Sequence, residues 1–413
     1  MTARQTYHRY LVLVALRWLP VGLWVPITVL LPLDRGLTLA EAGLAAALQG
    51  FVVLALELPT GGLSDSWGRR PVLLAAAGVA IASMSLVLVA DTFALFAVVY
   101  LFQGVYRALD SGPLDAWYVD AALAENPDAR LERGLGAGGT VLGLAVAAGA
   151  LTSGGIVAWV SVPGIPTLVL PVILGLVVQV AGLVAIALLV HEPPHPSGRR
   201  RFLPSLRQVP SVIADGVRIV RGSRILACLL AVELFWGFGM VTFETLLPVH
   251  LSDLLGSTER AAAVMGPAGA AGWLAAAAGA ALAPLLAARL GVALTAGLLR
   301  IVHGITVVGM GLLAGPAGAL TGYLAAYLVH GGSNPVHLTL LHREVANDHR
   351  STVVSMNSMM SQPAGAIGLI SLTALATATS PSAAIVVGAV VLALAAPLYL
   401  PAMRAERRRP VAV

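Results

Sequence analysis

Four ionisable residues in the first half of this 413-residue chain, Arg17, Glu57, Arg107 and Asp110, fall inside otherwise apolar runs. A charged group in such a run is costly unless it is paired or faces water, so each is a candidate functional residue. Arg107 and Asp110 are three residues apart and share one face of a helix. At a rise of about 1.5 Å per residue, all four fall in the inner half of a bilayer. Two positive and two negative groups at similar depth support two readings. They could form a water-accessible cluster that gates, binds substrate or takes up protons, or a static set of ion pairs that ties three helices together.

The second half carries Glu233 and Glu244, eleven residues apart. Continued as an α-helix, nearly three turns place both carboxylates on one face with Trp236, Gly237 and Met240. Glu233 would lie near mid-membrane and Glu244 near the outer surface, where a gate or interface role is expected. A carboxylate withdrawn from water can exchange a proton near neutral pH. Flanked by aromatic and methionine side chains, it also suits a lipophilic cation. His303 and His330 each read as alone on an apolar face, as packing residues. His330, His337 and His342 lack a metal-ligand spacing, so no metal site is expected. Gly134 through Gly139 is glycine-rich but lacks the Gly-Lys-Ser/Thr ending of a phosphate loop, so no ATP-driven chemistry is expected. Gly143, Gly149, Gly269, Gly272, Gly365 and Gly368 read as close helix packing.

The elements that position these residues follow from composition. The chain is 58% hydrophobic and only 11% charged, against about 25% charged in a soluble domain. Its apolar runs are continuous rather than alternating, which selects helices over a β-barrel. Twelve spans are expected, at roughly residues 9–32, 40–63, 72–90, 93–123, 134–160, 167–190, 223–251, 261–287, 292–314, 316–342, 351–378 and 382–402. The first lacks a small-residue cleavage site and reads as a retained helix. The lone Cys228 permits no intrachain disulfide. Every basic residue other than histidine is arginine, which suggests a GC-rich bacterial genome.

With the N-terminus inside, Arg35 and Arg260 alone fall in outer loops and Arg17, Arg107 and Arg300 fall within spans. The remaining arginines all lie in cytoplasmic segments, which predicts a multi-pass protein of the bacterial inner membrane with both termini in the cytoplasm. The same spread of charge argues against nucleic-acid binding. The organisation expected is an N-terminal six-helix bundle (1–190), a cytoplasmic linker with an amphipathic helix (191–222) and a C-terminal six-helix bundle (223–413). In the linker, Leu206, Val209, Ile213, Val217 and Val220 recur at helical spacing. The halves read as parallel repeats, with Ser111-Gly112-Pro113 corresponding to Ser333-Asn334-Pro335.

Between the second and third spans lies Gly61-Gly62-Leu63-Ser64-Asp65-Ser66-Trp67-Gly68-Arg69-Arg70. Its spacing, Gly-x-x-x-Asp-x-x-Gly-Arg-Arg, resembles the signature of the major facilitator superfamily, with Ser66 where a basic residue is common. The counterpart turn Arg289-Leu290-Gly291 is degenerate. Glu57-Leu58-Pro59-Thr60-Gly61, together with Ser111-Gly112, Ala116-Trp117 and Asp120, resembles a bacterial drug-efflux branch. The fold implied is all-α and polytopic, with twelve transmembrane helices in two six-helix bundles. The resemblance further implies a conformational latch of Gly61, Asp65, Gly68, Arg69, Arg70 and Asp120: Asp65 would cap the eleventh helix near Ser351, and Arg69 would pair with Asp120. One departure is Leu151, which stands where antiporters of the superfamily often carry proline before Gly154-Gly155.

The expected function is secondary active transport: proton-coupled export of hydrophobic or amphiphilic small molecules by alternating access. The proton is the coupling ion, no cofactor is involved, and the partners are a small-molecule substrate and the lipid bilayer around a monomer. Asp110, Glu57 and Glu233 are the candidate proton carriers. An importer of a small metabolite is one alternative, and a membrane receptor on a transporter scaffold is another. No nucleophile–base–orienter set points to an enzyme.

Overall fold

The computed structural model describes residues 3–126, 129–192, 218, 220–345 and 350–408; the side chains of residues 3, 58, 61, 62, 64–66, 350–352, 354 and 355 fall outside that description. The proposed linker helix at 206–220 lies almost wholly outside the described residues. Within them all regular structure is helical, and a single isolated β-bridge, Val162–Ile165, closes a loop.

The helices in chain order are α1 (Ala3–Trp24), α2 (Leu30–Asp34), α3 (Leu39–Trp67), α4 (Arg69–Val89), α5 (Phe93–Asp110), α6 (Pro113–Glu125), α7 (Leu131–Trp159) and α8 (Leu170–Leu189). They continue as α9 (Arg224–Val241), α10 (Leu247–Leu255), α11 (Thr258–Leu290), α12 (Val292–Leu312), α13 (Gly315–Arg343), α14 (Arg350–Ala378), α15 (Pro381–Leu394) and α16 (Leu400–Arg408). Among the described residues, eleven helical segments are long and apolar enough to cross a membrane. The expected tenth span is present as α13, but Tyr323, Tyr327, His330, Ser333, Asn334 and His337 make it more polar than those eleven. In a membrane, such polarity belongs on a surface that faces other protein or water.

The chain forms two compact units. One comprises Met1–Leu37, Phe51–Val209 and Ala262–Ala270; the other comprises Thr38–Gly50, Pro210–Ala261 and Ala271–Val413. In the first, α1 packs along α7, where Gly149 leaves its Cα against Gly22 and the Leu19 carbonyl. In the second, α9 packs along α14, where Gly237 meets the Ser361 carbonyl and Gly368 meets the Phe238 carbonyl. A side chain at any of these glycines would push the backbones apart, which is the usual reason for small residues between membrane helices. Gly272 likewise sits close against Tyr323, whereas a Cβ at Gly143 would meet nothing within 4 Å among the described residues.

Two spans depart from the continuous helices expected. The fourth is broken: α5 stops at Asp110, Gly112 turns with φ +93°, and α6 restarts at Pro113. Glycine takes that left-handed turn without a Cβ penalty, and proline fits the first helical position because its missing N–H has no partner there. The seventh contains a π-helical turn, Thr242–Leu246, between α9 and α10. This insertion interrupts the α-helical register between Glu233 and Glu244. Glu233 is buried and Glu244 is exposed.

Candidate functional site

In the first unit, the four charges separate into one ion pair, Arg17–Asp110, and two groups within electrostatic range of each other, Glu57 and Arg107. Arg17 on α1 ion-pairs with the Asp110 carboxylate through Nε, and its Nη2 donates to the Asp110 backbone carbonyl at 2.8 Å. The break after α5 creates this site. It ends a helix at Asp110, so a carboxylate and the negative end of the helix dipole meet one guanidinium. A cavity of about 30 Å³ adjoins the pair, lined by Tyr106 and Gln179 among apolar side chains. That is room for water, given polar partners. Arg107, three residues back, is exposed and within electrostatic range of Glu57 on α3. One Glu57 oxygen, Oε2, is buried without a hydrogen-bond partner among the described residues. Nearby, the Thr60 hydroxyl donates to the Ala108 carbonyl at 2.8 Å, linking α3 to α5.

The second unit holds a larger polar site around Glu233, which is 8% exposed. His337 on α13 brings Nε2 to 3.5 Å from Glu233 Oε1 and 3.1 Å from Asn357 Oδ1 on α14. Its Nδ1 lies 2.8 Å from the hydroxyl of Tyr399, in the 3₁₀ turn Ala396–Tyr399. Arg300 on α12 is 3% exposed and lies over the Trp236 ring, 5.8 Å from its centroid. Its Nε has no hydrogen-bond partner among the described residues.

Beside this network stands an aromatic set. Trp236 stacks on His330 with centroids 4.2 Å apart and ring planes 3° from parallel. His303 and Phe243 close in at 5.8 and 5.6 Å from Trp236, and Tyr327 meets Phe243 edge-on. The two histidines expected to stand alone are therefore neighbours, 6.2 Å apart. The π turn supplies part of this arrangement by carrying Phe243, and π turns recur at functional sites. Met240 is half-buried on the same helix, and Glu244 lies within electrostatic range of Tyr323 and Tyr327.

At the motif turn, the surroundings of Gly61 and the side chain of Asp65 lie outside the described residues, as does the side chain of Ser351. Gly68 turns with φ +93° into α4. Arg69 Nε is 3.6 Å from Asp120 on α6. Arg70 donates to the Ala187 carbonyl at 2.7 Å, at the end of α8. Glu192, just beyond α8, accepts from the Arg69 and Arg70 amides at 3.0 and 3.1 Å. The second unit repeats the device. Gly291 turns with φ +85° into α12, and Glu406 accepts from the Val292 and Ala293 amides at 3.2 and 3.0 Å. Arg343 pairs with Glu406 at 3.3 Å. The degenerate motif thus retains its glycine turn and a carboxylate on the helix N-terminus, where the unpaired amides favour an anion. Sequence reasoning missed both glutamates. The signal available was the equivalent placement of Glu192 after the sixth span and Glu406 at the end of the last, each opposite a turn glycine.

The Major Facilitator Superfamily profile matches residues 11–369. The chain belongs to that superfamily. Solved structures of similar fold include the nucleoside transporter NupG, at a TM-score of 0.76 and 13% identity, over 97% of this chain and 99% of that one. A bacterial homologue of the human lysosomal transporter Spinster, inward-facing and unoccupied, is similar at a TM-score of 0.75 and 14% identity, over 99% of each chain. A bacterial homologue of the iron transporter ferroportin is similar at 0.75 and 15% identity, over 97% and 99%. At such identities the likeness is one of fold. No curated protein matches the sequence. This member of the superfamily is a multi-pass membrane transporter rather than an enzyme.

Proposed function

We propose that this transporter couples proton entry to the export of hydrophobic or amphiphilic small molecules by alternating access, with Glu233 as the proton-carrying group and Trp236 as the substrate contact. The observation that carries this reading is Glu233 itself: a buried carboxylate beside the half-buried Trp236–His330 stack, with Met240 one turn further along α9. Aromatic faces and methionine accept varied apolar shapes, and a carboxylate among them can exchange a proton for a cationic substrate. The arginine distribution supports both termini in the cytoplasm of a bacterial inner membrane. In the monomer proposed, Asp65, Arg69, Arg70 and Asp120 regulate turnover as a latch, and no cofactor is required.

The test is accumulation of a panel of fluorescent cations and antibiotics in cells with and without the protein, repeated with a protonophore. Lower accumulation that the protonophore abolishes is expected. Unchanged accumulation of every compound overturns export, and insensitivity to the protonophore overturns proton coupling. A second reading is proton-coupled uptake of a small hydrogen-bonding metabolite. It is favoured by the polarity of α13, whose tyrosine, histidine, serine and asparagine side chains suit polar recognition. Uptake of a polar metabolite, with no effect on the panel, would select it.

A further inference from the structure

Five side chains that meet in the second unit come from five elements: Glu233 from α9, Asn357 from α14, His337 from α13, Tyr399 from the turn before α16 and Arg300 from α12. Their donors and acceptors can be assigned in sequence. An ionised Glu233 only accepts. The Asn357 amide stands within hydrogen-bonding range of it, which turns Asn357 Oδ1 toward His337 Nε2. Nε2 then faces two oxygens, Asn357 Oδ1 and Glu233 Oε1, and must carry the hydrogen. Nδ1 is therefore an acceptor, and the Tyr399 hydroxyl donates to it. The Tyr399 oxygen, its hydrogen spent, is left to accept from Arg300, which lies within range. Every link points the same way, from guanidinium to carboxylate.

We propose that Arg300, Tyr399, His337 and Asn357 form a one-way hydrogen-bond chain that holds Glu233 ionised and transmits its protonation to the α9–α14 contact. The four are positioning residues for Glu233; the inference rests on the proton-carrying role given to Glu233 above. When a proton forms an O–H bond on Glu233, the carboxylate charge that orients the chain is gone. The Asn357 amide then loses its charged acceptor, and Arg300 loses its counter-charge. Asn357 is the link that joins α14 to α9. The same helices touch backbone to backbone at Gly237 and Gly368, with no side chain interlocked between them there. Such a contact can shift when the polar link loosens. The charged and titratable groups that face Glu233 from the surrounding elements are Arg300 and His337, with Tyr399 behind His337. His303 and His330 belong to the Trp236 stack, α15 contributes no titratable group, and Glu406 on α16 is committed to the α12 N-terminus.

The experiment is infrared titration of the purified, lipid-reconstituted protein, following the carboxylic C=O band that Glu233→Gln removes. Tyr399→Phe and Asn357→Ala should each raise the pH midpoint of that band, by about one pH unit, because each removes support for the ionised form. His337→Gln keeps a side-chain amide beside Glu233 and should move the midpoint less than Asn357→Ala. Midpoints unchanged in the two folded removal variants overturn the chain, as does the absence of a band assignable to Glu233. If Tyr399→Phe fails to fold, Asn357→Ala and His337→Gln decide the question alone. The readout needs no substrate. Shifted midpoints in a protein whose transport ignores the proton gradient would sink proton-coupled transport and leave the chain standing.

Discussion

Each unit holds an arginine among its helices, half-buried Arg17 in one and buried Arg300 in the other, and the two are held differently. Arg17 meets its carboxylate directly and also takes the carbonyl of the same residue, Asp110, at a helix end. Arg300 lies within electrostatic range of Glu233 and is linked to it through Tyr399, His337 and Asn357, and its Nε has no hydrogen-bond partner among the described residues. A direct buried pair is costly to break, because removing one partner strands the other charge in a poor solvent. A chain of neutral links is softer: a proton added at Glu233 removes the counter-charge of Arg300, but Tyr399 and the Trp236 ring still face the guanidinium. This contrast is the physical ground for proposing a structural role for the first site and a working role for the second.

The largest effect that would break this comparison concerns Glu233. Glu233→Gln should abolish the pH dependence of transport while the protein still folds; a pH profile like that of the parent would move proton coupling to Asp110 or Glu57. Next comes Asp110→Ala, which leaves Arg17 without its counter-charge and should lower stability by about 3–5 kcal/mol, read as a fall in the thermal unfolding midpoint. The double variant Arg17→Met/Asp110→Leu should recover much of that loss. If Asp110→Ala folds normally and alters only the pH profile, the two sites have exchanged roles. Gly68→Ala is expected to cost about 1–2 kcal/mol, because the turn has a positive φ and a Cβ would sit 2.7 Å from Glu192 Oε2. The smallest effects are at the matched helix caps. Glu192→Gln and Glu406→Gln should each cost about 1 kcal/mol, with similar losses in both units. A loss confined to Glu192 would show that only the intact motif turn depends on its cap. Asp65→Asn should slow turnover more than it weakens substrate binding, and an equal loss of affinity would count against the latch.

Much of the site was legible as a list of residues and little of it as an arrangement. Buried charges announce themselves in a membrane sequence, because each is an exception to an apolar run. Their partners do not. Arg17 and Asp110 are far apart in sequence, and the break that points Asp110 at Arg17 depends on how Ser111-Gly112-Pro113 is packed. The near-identical Ser333-Asn334-Pro335 lies within the unbroken α13, since asparagine there leaves the helix intact. The π turn had no readable signal either: a single extra residue in a helical register leaves the apolar pattern almost unchanged.

The sequence by itself determined that this is a polytopic helical protein of a recognisable family: its spans follow from the bilayer as a solvent, and its motif carries the family resemblance. Hydrocarbon satisfies no backbone hydrogen bonds, so apolar length alone dictates helices. Tertiary structure alone decided which charges are locked together and which are linked through neutral groups. That choice depends on ångström-scale distances between side chains from five separate elements, and hydrophobic periodicity carries no information about those distances.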